Sequence, residues 1–85
     1  MAKVEIFSGQ NCSYCQSAKS LLKRRGITYT DYDISTDTVH RDEFVRRLPR
    51  VRSIPQIFID GEHVGGYDDL ELLDTSGRLE ALVNP

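Results

Sequence analysis

The chain reads as an α/β protein: a four-stranded mixed sheet with helices on both faces, in the order βαβαββα. Three observations predict this. The short apolar run Val4-Glu5-Ile6-Phe7 gives way to a helical pattern and then, past Gly26, to a second strand-like run. Such an N-terminal βαβ unit makes parallel strands through a right-handed crossover. Farther on, Asp60-Gly61 stands between two more strand-like runs as a tight-turn signal, which adds an antiparallel pair.

Each element has its own signal. Residues 3 to 7 are β-prone, with Val4 and Ile6 on one face and Phe7 at the end, which suits an inner strand covered on both sides. Ser8-Gly9-Gln10-Asn11 is loop composition. From Tyr14 to Arg25, Ala18, Leu21 and Leu22 fall at i, i+3, i+4, while Lys19, Lys23 and Arg24 take the other, solvent side. Arg24 and Arg25 suit the last turn, and Gly26 stops the helix. Ile27 to Ile34, rich in Ile, Tyr and Thr, predicts a strand. Ser35, Thr36 and Asp37 offer N-caps for a helix through about Leu48, with Phe44, Val45 and Leu48 on its apolar face and Pro49 at its end. Gln56 to Ile59 is a third strand, and His63-Val64 centres a short fourth, broken by Gly65-Gly66. Asp68-Asp69 opens a helix with Leu70, Leu72 and Leu73, its acidic start matched to the helix dipole. Beyond Gly77, Leu79, Leu82 and Val83 predict a final turn or two.

With 85 residues the chain is long enough for one compact domain, spanning 1–85, and not for two. Its 39% hydrophobic and 28% charged residues are an ordinary globular composition, and a net charge of -2 gives no basic footprint for nucleic acid. No stretch is apolar for long enough to span a bilayer, and Met1-Ala2-Lys3-Val4 carries no secretory h-region. Two cysteines in such a chain predict a reducing compartment, the cytoplasm.

Those two cysteines are Cys12 and Cys15 of Cys12-Ser13-Tyr14-Cys15, between the first strand and the first helix. A thiol at a helix N-terminus faces unpaired backbone N–H groups and the positive end of the helix dipole, which favour a thiolate. Thiol–disulfide exchange is the reading this supports, with Cys12 attacking and Cys15 resolving. Three others compete. A structural disulfide closing so short a loop removes little unfolded-state entropy. A zinc site lacks ligands, since His40 and His63 are far apart and not in finger spacing. Two unrelated buried thiols are the third. The predicted architecture, with a CxxC opening its first helix, is that of the thioredoxin fold.

Three separated motifs carry a family resemblance over nearly the whole chain. Cys12-Ser13-Tyr14-Cys15 is similar to the commoner CPYC active site of the glutaredoxins. Ser53-Ile54-Pro55-Gln56-Ile57-Phe58-Ile59 resembles their TVPQIFI segment. Gly65-Gly66-Tyr67-Asp68-Asp69-Leu70 resembles their glutathione-binding GG-x-D-D-L segment. The resemblance implies Cys12 as nucleophile and Cys15 as resolving thiol, with Tyr14, Ser53, Ile54, Pro55, Gly66, Asp68 and Asp69 around glutathione. Tyr14 would flank the ligand. Ile54 would pair its backbone with the cysteinyl part, and Pro55 would be cis. Asp68, Asp69 and their helix N-terminus would hold the γ-glutamyl end.

General physics supports each role. A backbone edge turned outward at Ile54 can add a peptide as an extra strand. The N–H groups of Asp68 and Asp69 can bind a carboxylate and their side chains can accept from an ammonium, although plain N-capping also suits two aspartates there. The chain departs from the family in two places. Many members carry a lysine where this chain has Gly9, which removes a cation able to lower the thiolate pKa and touch the glycyl carboxylate. Arg50 and Arg52 are candidates for that carboxylate contact, and a solvated basic face with Arg46 and Arg47 is the equal alternative. Ser13 replaces the motif's proline, which leaves the helix terminus intact.

The resemblance thus implies a glutathione-dependent thiol–disulfide oxidoreductase acting on glutathionylated or disulfide-containing proteins, with glutathione as reductant. It implies a monomer unless a cluster bridges two copies. A glutathione-ligated [2Fe-2S] homodimer, with one Cys12 from each subunit, is the alternative from a different class. A dedicated electron donor of thioredoxin type is a further one, against which the Gly65–Asp69 motif argues.

Overall fold

A computed structural model describes residues Met1–Pro85. The elements run β1 (Val4–Ser8), α1 (Ser13–Arg24), β2 (Thr30–Asp33), α2 (Thr38–Arg47), β3 (Gln56–Ile59), β4 (Glu62–Gly65), α3 (Tyr67–Thr75) and α4 (Arg78–Val83). One four-stranded sheet has the order β2-β1-β3-β4. β1 pairs parallel with β2 and antiparallel with β3, and β3 pairs antiparallel with β4. This is the predicted mixed sheet. Asp60 and Gly61 both take positive φ, 50° and 80°, as a tight primed turn needs.

Alternation along β1 splits the core in two. Val4 and Ile6 face α1, α3 and α4, where they join Ala18, Leu21, Leu22, Ile57, Ile59, Leu70, Leu79 and Val83. Phe7 faces α2 and packs on Phe44 and Phe58, with ring centroids 5.4 and 6.0 Å away. Leu22 is fully buried, so truncating it to alanine costs about 2–5 kcal/mol. Glu5 is the exception in the strand. It is only 3% exposed, yet it accepts two hydrogen bonds from Arg47 of α2 and one from Tyr32. The Arg47 guanidinium also lies over the rings of Phe7 and Phe58, so the buried charges are paired and sandwiched.

Several boundaries differ from the sequence reading. β2 covers only the second half of Ile27–Ile34, because the Ile27 N–H closes the end of α1 on the Leu22 carbonyl. Val45 is 54% exposed and does not share the face of Phe44, since consecutive helical residues diverge by about 100°. Leu72 is 67% exposed, since it stands two positions, about 200°, around the helix from buried Leu70. α3 starts at Tyr67, with Gly66 as its N-cap. The final turns form a distinct helix, α4, set off by Gly77 at φ 78°. Of the three candidate caps of α2, Asp37 does the capping, accepting from the N–H groups of Val39 and His40.

Lys19 is not the surface residue that its place beside Lys23 and Arg24 predicts. Its side chain is 18% exposed, and its ammonium lies 2.6 Å from Asp31 of β2. Asp31 also accepts from the buried hydroxyl of Ser8. The lysine's stem lies along the packed side of α1 and its charge is met by the neighbouring strand.

Candidate active site

β1 ends at Ser8, and a short loop carries the chain to Cys12, which is the N-cap of α1. Gln10 donates its N–H to the hydroxyl of Ser35, which ties that loop to the segment after β2. Cys12 is half-buried and Cys15 fully buried, and the two form a disulfide. The Cys15 N–H, one of the unpaired donors of the first turn, donates to Cys12 Sγ at 3.1 Å. The carbonyl oxygen of Ile54 stands 3.8 Å from the same sulfur. The Ile54–Pro55 bond is cis.

Beside the disulfide lies an open cavity of about 330 Å³. It is lined by Tyr14, Ser53, Ile54, Pro55, Gln56, Gly66, Tyr67, Asp68 and Asp69. Every non-cysteine residue expected at the site lines it except the two arginines. Arg50 and Arg52 are exposed, make no hydrogen bond or ion pair, and lie outside the lining. His63 is bound to Gln56 and His40 stacks on Tyr32, so the two histidines serve different parts of the fold. A hollow of about 570 Å³ between β4, α3 and α4 holds neither cysteine.

The cavity walls are held by specific contacts. Gln56 is buried and its amide donates to the carbonyl and hydroxyl of Ser53, while its own oxygen lies 2.7 Å from His63 Nε2. Across the cavity, α3 begins close to the cis peptide. A β-carbon at Gly66 would come 3.4 Å from the Pro55 carbonyl oxygen. Gly65 has φ 124°, and a β-carbon there would lie only 2.2 Å from Asp69 Oδ2. Only glycine fits that position. Asp69 Oδ2 itself accepts from the Gly66 N–H at 3.0 Å, so Asp69 caps its own helix. Asp68 is exposed and makes no hydrogen bond.

α1 and α3 lie side by side and run the same way. Near their starts the rings of Tyr14 and Tyr67 stand 6.0 Å apart. At their ends Arg25 forks onto Asp74 at 2.8 and 3.0 Å. Both N-termini therefore point at the cavity, one at the cysteine pair and one past Gly66. Two helix dipoles make the site favourable for anions, a thiolate at the first and a carboxylate at the second. Tyr67 and Gln56 are lining residues that the sequence reading did not assign, although both stand inside the quoted motifs.

A redox-active cysteine pair at a helix terminus, on this sheet, defines a thiol–disulfide oxidoreductase. The glutaredoxin family model matches residues 4–64. The chain is 42% identical over 83 residues to glutaredoxin 3 of Escherichia coli strain K12, covering 98% of this chain and 99% of that one. It is equally similar, at 42% over 83 residues, to a probable glutaredoxin of Synechocystis sp., covering 98% and 94%. The fold matches a crystal structure of a buckwheat glutaredoxin–glutathione complex with a TM-score of 0.87 at 25% identity, over 96% of this chain and 76% of that one. A solution structure of glutaredoxin from Brucella melitensis matches with a TM-score of 0.81 at 41% identity, over 98% and 89%. The chain belongs to the glutaredoxin family.

Proposed function

We propose that the protein uses glutathione to reduce protein–glutathione mixed disulfides and protein disulfides. One observation carries the reading: the cavity beside Cys12 is bounded by the Ile54–Pro55 edge on one side and the N-terminus of α3 on the other. A γ-glutamyl-cysteinyl-glycine tripeptide has the matching chemistry. Its backbone can pair with Ile54. Its γ-glutamyl carboxylate can take the N–H groups opening α3, and its ammonium can meet the unpartnered carboxylate of Asp68. The relative crystallised with glutathione supports the same choice of ligand.

In the monothiol route the Cys12 thiolate attacks the glutathionyl sulfur of a mixed disulfide. A Cys12–glutathione bond forms, and the substrate protein leaves as a thiolate that takes up a proton. A second glutathione, as its thiolate, attacks the glutathionyl sulfur. Oxidised glutathione departs and the Cys12 thiolate returns. In the dithiol route Cys12 attacks a protein disulfide, and Cys15 displaces the substrate to leave the Cys12–Cys15 bond seen in this structure. Two glutathione molecules then reduce it. The cytoplasm, whose thiols are kept reduced, is the proposed setting. The cluster-bridged dimer has no observation in its favour, as Cys12 is engaged with Cys15 in this structure.

The test is a coupled assay with glutathione, glutathione reductase, NADPH and a small glutathionyl mixed disulfide. Saturable turnover that needs the protein is expected. Turnover no faster than the uncatalysed exchange, with disulfide reduction restored by another dithiol donor, would overturn the glutathione reading.

A further inference from the structure

We propose that Tyr67 is a positioning residue which, fixed by Glu71, props the Tyr14 ring against the cavity and so sets how tightly a glutathionyl group is held. The proposal rests on the glutathione reading above and adds two residues to it.

Tyr14 stands between the cysteines in the first turn of α1 and is 62% exposed. It makes no hydrogen bond, and its only aromatic neighbour is Tyr67. An exposed ring of this kind is free to sample several rotamers. Tyr67 is held at both ends. Its ring packs against the main core cluster, and its hydroxyl donates to Glu71 one turn along α3 at 2.8 Å. That bond, with burial second, pushes the Tyr67 hydroxyl above its ordinary pKa, so the phenol remains a donor at neutral pH. The two rings lie 6.0 Å apart with 33° between their planes, within the range of favourable aromatic pairs.

The geometry passes stiffness from one helix to the other. Each ring comes from the first turn of a separate helix, and the far ends of those helices are tied by Arg25 and Asp74. Tyr67 therefore does not slide with Tyr14, and Tyr14 loses freedom by resting on it. A wall that is already ordered costs less to order on binding. Both rings line the same cavity, so the gain appears when the glutathionyl group enters it. Glutathionyl affinity is the quantity affected. The attacking sulfur, at the N-cap of α1, does not touch Tyr67.

The experiment uses the full chain and a glutathionylated peptide at saturating glutathione. Tyr67→Leu keeps apolar bulk and removes the ring. It is expected to raise KM for the peptide about 2- to 12-fold, the factor an aromatic pair of this kind is worth, with kcat little changed. Tyr67→Phe keeps the ring and loses the anchor, so a smaller rise is expected. Glu71→Gln keeps an acceptor and should stay near wild type, whereas Glu71→Leu should follow Tyr67→Phe. Adding Tyr67→Leu to Tyr14→Leu should raise KM no further. Independently of any ligand, the ring-proton resonances of Tyr14 should shift in Tyr67→Leu. Additive effects of the two tyrosines, a fall in Tm with unmoved KM, or unmoved Tyr14 resonances would each overturn the proposal. Absence of saturable glutathionyl turnover in the wild type would instead sink the glutathione reading, while the Tyr14 resonances still report on the propping itself.

Discussion

The side chain of Ile54 occupies the space above Gly9: a β-carbon added at position 9 would come within 2.8 Å of Ile54 Cδ1. Gly9 is buried, so its surroundings leave little room for a side chain. Any side chain there must first turn the Ile54 methyl aside. The obstructing atom is the end of a flexible chain, so the cost stays near the ~0.5–1.5 kcal/mol of an off-rotamer side chain. The carbonyl of that same residue faces Cys12 Sγ, so the disturbance lands on the site.

Gly9→Ala should therefore raise KM for a glutathionyl substrate and leave the thiolate pKa of Cys12 where it was. Gly9→Lys should do both, raising KM through Ile54 and lowering the pKa by bringing a cation near. In the wild type that pKa is expected below the ~8.5 of a free thiol. Alkylation rate against pH, with the substrate kinetics of both variants, separates the two effects. A lysine variant with a lowered pKa and an unaltered KM would mean that Ile54 yields without consequence.

The two cysteines should part company on substitution. Cys12→Ser should abolish every thiol-transfer activity, since buried Cys15 has no access to a substrate. Cys15→Ser should keep the monothiol reaction, because free glutathione resolves the intermediate, and should lose most reduction of protein disulfides. Both activities are measured side by side at fixed glutathione. Equal loss of both in Cys15→Ser would remove the monothiol route.

Asp68 and Asp69 should also differ, although they are adjacent and alike in sequence. Asp68 is free of hydrogen bonds, so Asp68→Ala should weaken glutathione by about 1.5–3 kcal/mol and hardly move Tm. Asp69 caps Gly66, so Asp69→Ala should cost stability as well, about 0.5–2 kcal/mol. Denaturant titration beside glutathione KM gives the comparison, and a stability loss in Asp68→Ala would reverse the assignment.

Acid should act through the Arg47 cluster. Hydrogen bonds from Arg46 and Arg47 hold Glu43 down to about 2, and the Arg47 bonds pull buried Glu5 below its ordinary value. Both folded values lie below the unfolded ones. The stability they contribute is thus complete above the unfolded carboxyl pKa, and it is lost as pH falls through the folded values toward 2. Arg47→Met leaves buried Glu5 with only the Tyr32 hydroxyl and the exposed Lys3 ammonium, and should cost about 3–5 kcal/mol at neutral pH, shrinking in acid as Glu5 protonates. Urea titrations at several pH values check this, and a cost independent of pH would mean that packing over Phe7 and Phe58 is the larger contribution.

Local signals made much of this molecule legible. The strand-to-helix change at Cys12, the Gly26 stop and the Asp60-Gly61 turn each depend on neighbouring residues, and each fell where expected. Contacts between distant segments were not legible. Glu5 sits in an apolar strand because Arg47, forty-two positions later, returns to meet it. Lys19 resembles its solvated neighbours until Asp31 comes alongside. Tyr67 carried no pattern of its own, since its partner Tyr14 belongs to another helix. Val45 stands next to Phe44 in sequence, yet the helical angle turns it to solvent while Phe44 is buried.

The Cys15 amide already points at Cys12 Sγ while the disulfide is intact. When the bond opens, the charge that gathers on that sulfur meets a dipole waiting in place, and the backbone need not reorganise to receive it. The amide resonance of Cys15 should then move on reduction while its hydrogen-exchange protection hardly alters. What a partner protein would sense on reduction is the negative charge left on the Cys12 sulfur, beside the cavity and already faced by a backbone dipole.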